Sequence, residues 1–114
     1  MATDALIIQK MLKYCDDATK YISSADYKAF SENELHLTFS VFALSQLGEM
    51  VRQLDGNFYI RYPEIPWRAI RGVRNRIVHN YDNLKFTVLW DVLTRDIPLL
   101  REQLTYILNR IDEE

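Results

Sequence analysis

The chain has 114 residues, 48% apolar and 26% charged, with three Gly, three Pro and one Cys. That composition suits one globular domain, 1–114, and leaves little room for a turn-rich all-β fold. The lone Cys15 excludes an internal disulfide and any multi-cysteine metal site.

The net charge of −2 is unevenly spread. Residues 61–79 hold Arg61, Arg68, Arg71, Arg74 and Arg76 against the single acid Glu64, a local +4 that leaves −6 for the remainder. One basic segment in an acidic chain points to a local anion site, not to a surface that coats nucleic acid. The first residues lack the basic start of a signal peptide. No apolar run approaches the ~20 residues of a membrane span. The expected location is the cytoplasm, with no membrane partner.

In chain order, Leu6, Ile7, Met11, Leu12, Cys15, Ala18 and Ile22 recur in helical steps after Thr3-Asp4, predicting a first helix over about 4–24. Cys15 falls on its apolar face, a core position, and Asp16 and Asp17 beside it disfavour a thiolate. A second helix is predicted from Ser31 to Leu54, with Ser31 and Glu34 at capping-box spacing and Asp55-Gly56-Asn57 as its stop. Gly48 inside it costs roughly 1 kcal/mol against Ala. Close approach of another helix or of a partner chain would explain it. His36 has no signature around it and reads as a structural or surface residue.

Residues 57–66 read as a loop. Pro66 suits the first position of a third helix through Trp67, Ile70, Val73, Arg74 and Ile77, ending near His79–Tyr81, where Asp82-Asn83 breaks it. The fourth helix, about 84–111, carries Phe86, Leu89, Trp90, Leu93, Ile97, Leu100, Leu104 and Ile107, and Pro98 within it removes a backbone hydrogen bond and kinks the rod. Trp67 and Trp90 are expected in the core. The predicted fold is all-α, an antiparallel four-helix bundle with a Pro-kinked last helix.

The chemistry concentrates in residues 74–81, Arg-Asn-Arg-Ile-Val-His-Asn-Tyr. A fixed cation, an imidazole able to titrate near neutral pH and a phenol are enough for phosphoryl chemistry without a metal. Arg71 and Arg74, three apart, share a helix face, and so do Asn75 and His79, four apart. Arg74 and His79 are five apart and diverge by roughly 140° in an unbroken helix. Either the helix loosens before His79, or the site forms between two chains about a symmetry axis beside this helix. The second is preferred, since a small bundle gains by burying more apolar surface in a dimer.

Arg74, four residues, His79, one residue and Tyr81 resemble the Arg-x4-His-x-Tyr signature of HEPN ribonucleases, and more narrowly of HepT toxins of HEPN/MNT toxin–antitoxin pairs. Glu34-Leu35, Leu47-Gly48-Glu49, Pro66-Trp67, Arg74-Asn75 and Asp96-Ile97-Pro98 resemble landmarks of that family along nearly the whole chain. The resemblance implies a HEPN-like bundle and a metal-independent endoribonuclease acting as a homodimer, with no cofactor. It also implies a cognate MNT-type nucleotidyltransferase antitoxin that adds AMP to Tyr81. Arg74 would grip phosphate and His79 would move protons, with Asn75 orienting the imidazole or touching substrate. Glu49 would orient Arg74, and Arg68, Arg71 and Arg76 would contact RNA. Arg76 is a second arginine inside the motif. The competing reading is a non-catalytic helical partner of a nucleotidyltransferase.

Overall fold

The computed structural model describes residues 2–22, 26–80 and 83–113, and for residues 2, 3, 79, 80, 83, 112 and 113 only the backbone. Three long helices dominate it: α1 (Ala2–Ala18), α3 (Glu34–Arg52) and α8 (Ile97–Glu113). Between them lie the short helices α2 (Tyr27–Ser31), α4 (Gly56–Arg61), α5 (Trp67–Arg71), α6 (Val73–Ile77) and α7 (Phe86–Asp91). The predicted all-α class stands, with one small addition. Val78–Asn80 (β1) and Asn83–Leu84 (β2) pair antiparallel, Val78 opposite Leu84 and Asn80 opposite Asn83.

Most of the predicted apolar stripes form the core, while Leu6 of the first stripe and Phe86 of the last are exposed. Helix α1 packs on α3 and α8, and α3 packs in turn on α5 and α6. Ile8, Met11 and Cys15 of α1 meet Leu44, Leu47 and Val51 of α3 and Leu104 and Ile107 of α8 in one buried cluster. Each such aliphatic side chain contributes about 1.5–3 kcal/mol on burial. Trp67 is buried, and its indole N–H donates to the Tyr62 carbonyl at 2.9 Å. Trp90 is half-buried against Tyr27 and Phe30. His36 stacks on Tyr21 with ring centroids 3.9 Å apart, a packing role.

Several boundaries differ from expectation for local physical reasons. The first helix stops at Ala18, where the Thr19 hydroxyl turns back onto the Cys15 carbonyl at 3.0 Å. Ser31 does not cap the second helix. It closes α2 and donates to the Lys28 carbonyl, while Asn33 caps α3 by accepting the His36 N–H at 3.0 Å. The 57–66 loop contains α4, which Asp55 opens by accepting the Asn57 N–H at 3.0 Å. The third helix is interrupted at Gly72, and the fourth begins at Phe86.

Pro98 acts upstream of itself. Its ring would collide with the carbonyl four residues back. The chain relieves this by widening Val92–Asp96 into a π-helical segment, in which the Ile97 N–H reaches the Val92 carbonyl five residues earlier. The last rod therefore runs α7, π segment, α8.

Candidate functional site

Gly48 positions the site. A Cβ built there would lie 3.0 Å from the Ile70 carbonyl oxygen and 3.2 Å from that of Arg71. Only glycine lets the end of α5 sit this close to α3, so the first of the two explanations expected for Gly48 holds. The contact carries Arg71, and Arg74 one turn later, over the C-terminal half of α3.

The result is a cleft of about 220 Å³ lined by Ser45, Gln46, Gly48, Glu49 and Arg52 from α3 and by Arg71, Arg74 and Asn75 from α5 and α6. Four residues picked out from the sequence, Glu49, Arg71, Arg74 and Asn75, therefore meet in one place. Arg52 joins them. Its signal was available in the sequence, since it lies three residues after Glu49 and four after Gly48 on the same face of α3.

Three arginines and one glutamate line this cleft, and all four side chains are exposed. Glu49 pairs with Arg52 at 3.3 Å, not with Arg74 as expected. Arg74 instead donates a long 3.5 Å hydrogen bond to the Asn75 side-chain oxygen. A half-exposed pair such as Glu49–Arg52 contributes at most about 1 kcal/mol. The guanidinium forks are held loosely and stay available to an anion, and planar forks suit phosphate oxygens.

Arg68 and Arg76 fall elsewhere. Arg68 is exposed on α5 and does not line the cleft. Arg76 turns to the opposite flank of α6 and pairs with Asp96 of the π segment at 3.0 Å. It is thereby withdrawn from the arginine cluster it was grouped with.

The helix loosens before His79, which is the first of the two geometries considered for Arg74 and His79. Helix α6 ends at Ile77, Val78 takes extended angles of φ −109 and ψ 105, and the Ile77 carbonyl accepts from Lys85 N–H at 2.8 Å. His79 thus sits in β1, freed from the helical 140° divergence, and it no longer shares a helix face with Asn75. The side chain of His79 and the whole of Tyr81 lie outside the described residues.

Among the described residues, no three or more His, Cys, Asp or Glu side chains gather as a metal site would require. Among the same residues, no helix is long and apolar enough to cross a membrane.

Comparison with known proteins decides the family. The HepT-like family, described as Ribonuclease HepT-like, matches residues 11–107. The chain belongs to the HepT-like ribonuclease family. It is 25% identical over 97 residues to "Putative RNase MJ1380" of Methanocaldococcus jannaschii, covering 85% of this chain and 89% of that protein. It is 24% identical over 110 residues to "Putative RNase TTE0752" of Caldanaerobacter subterraneus subsp. tengcongensis, covering 96% and 98%. To "Probable ribonuclease HepT" of Thermococcus cleftensis it is 27% identical over 94 residues, covering 82% and 83%. No solved structure matches the chain with significance.

Proposed function

We propose that this HepT-like chain is a metal-independent endoribonuclease acting as the toxin of a toxin–antitoxin pair. The observation that carries the reading is the convergence of Arg52, Arg71 and Arg74 on one cleft, next to the helix stop that leads into His79. Family membership and relatives named as ribonucleases support it.

In the proposed reaction the ribose 2′-oxygen attacks the adjacent phosphorus. The new P–O2′ bond closes a 2′,3′-cyclic phosphate while the P–O5′ bond breaks. His79 takes the 2′-hydroxyl proton or supplies one to the departing 5′-oxygen, and solvent completes the balance. Arg74, with Arg71 and Arg52, neutralises the negative charge that grows on the phosphoryl oxygens. Glu49 limits the excess positive charge of the cleft through its pairing with Arg52. Two chains pair as a homodimer. A nucleotidyltransferase antitoxin blocks the site by forming a phosphodiester between AMP and the Tyr81 phenol, with pyrophosphate leaving from ATP. The tethered anion then competes with RNA for the same guanidinium groups.

The test is RNA cleavage by the purified chain in excess EDTA. Wild type should cut and His79→Ala should not, while both show the same helical circular dichroism. Full activity in His79→Ala would exclude the catalytic assignment. Intact mass after co-expression with the nucleotidyltransferase should show an AMP adduct on wild type and none on Tyr81→Phe. Equal labelling of both would remove Tyr81 as the acceptor.

A further inference from the structure

The last helix carries apolar side chains on a side that the core does not use. Leu99 and Tyr106 of α8 are 57% and 56% exposed. They lie seven residues apart, with Gln103 between them, and so share one face. This face forms one bank of a groove. The deeper part of the groove is a cavity of about 380 Å³ on the flank of α6 opposite the arginine cleft, walled by Val73, Val92, Ile97 and Leu100. The shallower part, about 320 Å³, runs on to Tyr106. Glu64, Leu99 and Gln103 line both parts, so the two are continuous.

The rim is acidic. Glu64 and Glu102 are exposed, and neither has an ion-pair partner among the described residues. Arg76 and Asp96 pair with each other at 3.0 Å and cancel. The charged groups lining the groove are therefore Glu64, Asp96 and Glu102 against Arg76, a net −2. Arg110 lines neither part, but its guanidinium donates to the Tyr106 phenol at 2.7 Å and steadies that ring at the end of the groove.

Shape and charge together select the occupant. From Asp96 to Tyr106 the rod rises about 15 Å, the length of nearly three turns of a partner helix. Twofold pairing of two copies would set the same surface on both sides. It would oppose one hollow to another, and Glu64 and Glu102 to their own kind. A convex apolar element with cationic borders suits both the floor and the rim. An amphipathic helix has that form, with anchors at steps of three and four that fill a hydrophobic groove.

We propose that the groove between α5–α6 and α8 is a docking site for an amphipathic helix of a different protein, flanked by lysine or arginine. Its aliphatic anchors fill the floor of Val73, Val92, Ile97 and Leu100. Leu99 and Tyr106 cover the side of the docked helix, and Glu64 and Glu102 receive its basic side chains. The occupant lies on the flank of α6 away from Arg71 and Arg74, so the arginine cleft stays open. Docking here is independent of whether that cleft cleaves RNA.

The test titrates the full, ¹⁵N-labelled chain with two cross-linked helical peptides of three turns. Both carry the same leucine stripe, bordered by lysine in one and by glutamate in the other. The lysine peptide should bind at least about tenfold more tightly than the glutamate peptide, and it should shift the amide resonances of Ala69, Leu99 and Gln103. The double variant Glu64→Lys, Glu102→Lys should reverse that order, and Leu99→Gln should weaken both peptides. All three substitutions are at exposed positions, and circular dichroism checks each fold. Binding of neither peptide overturns the proposal. So does equal binding of both that the double variant leaves unchanged, or a set of shifts that lies away from the groove. Sedimentation of the chain alone tests the second copy. If wild type is a dimer that Leu99→Gln dissolves into monomers, the groove is an interface between copies and the proposal fails.

Discussion

Replacing Gly48 by alanine tests whether glycine is there for packing or is a flaw in α3. Two effects oppose one another. Alanine in a helix interior gains about 1 kcal/mol over glycine. Against this, the new methyl would sit 3.0 Å from the Ile70 oxygen and 3.2 Å from the Arg71 oxygen. These are backbone atoms at the end of α5, so relief requires moving a helix whose Trp67 and Ile70 are buried. Overpacking of that kind costs about 1–3 kcal/mol. The net expectation is a loss of about 1 kcal/mol, extending toward 2 if α5 yields little. In urea this lowers the unfolding midpoint by roughly 0.5–1 M at unchanged slope. Gly56 provides the control, because a Cβ there meets nothing within 4 Å. Gly56→Ala should be neutral or stabilising by up to about 1 kcal/mol. Gly48→Ala should therefore destabilise while Gly56→Ala does not. A close-packing role for Gly48 is refuted if Gly48→Ala raises the midpoint as Gly56→Ala does. RNA cleavage gives a second readout, since displacing α5 moves Arg71 away from Glu49 and Arg52.

Other perturbations address the site and its supports. Arg74→Ala should lower kcat/KM for RNA by about 10²–10³ if the fork stabilises the phosphoryl charge, while changing stability by less than about 0.5 kcal/mol because the side chain is exposed. A steady-state assay with a matching urea curve checks both halves. Asn33→Ala should cost about 1 kcal/mol as a lost cap, and Ser31→Ala much less. A larger effect at Ser31 would restore the capping box. Burial, with a smaller contribution from the charge of Asp16 and against that of Arg101, pushes the Cys15 thiol up from 9.0 to about 12. Above pH 9 the unfolded chain therefore loses this proton while the folded chain keeps it. Stability should fall by about 1.4 kcal/mol per pH unit from this group until about pH 12. Cys15→Ala should flatten that slope in urea curves between pH 9 and 11. Native Cys15 should also resist a thiol reagent at pH 8 that modifies it at once in urea.

The sequence by itself determined what depends on neighbours along the chain. Steps of three and four placed Met11, Cys15, Leu93 and Leu104 in the core, because a helix turns a fixed angle per residue wherever it packs. The misfit of a five-residue Arg74–His79 spacing to one helix face called for either a loosened helix or a two-chain site, and α6 stops two residues before His79. Gly48 announced a close contact because its cost needs a reason. Tertiary structure decided what depends on residues distant in the chain. Which element approaches Gly48, that Arg52 joins Arg71 and Arg74, and that Asp96 draws Arg76 to the other flank all follow from how α3, α5, α6 and the π segment pack. Spacing along one helix says which side chains share a face and nothing about what lies opposite. The five arginines of residues 61–79 therefore read as one basic segment, while the fold places Arg71 and Arg74 in one cleft and Arg76 in another.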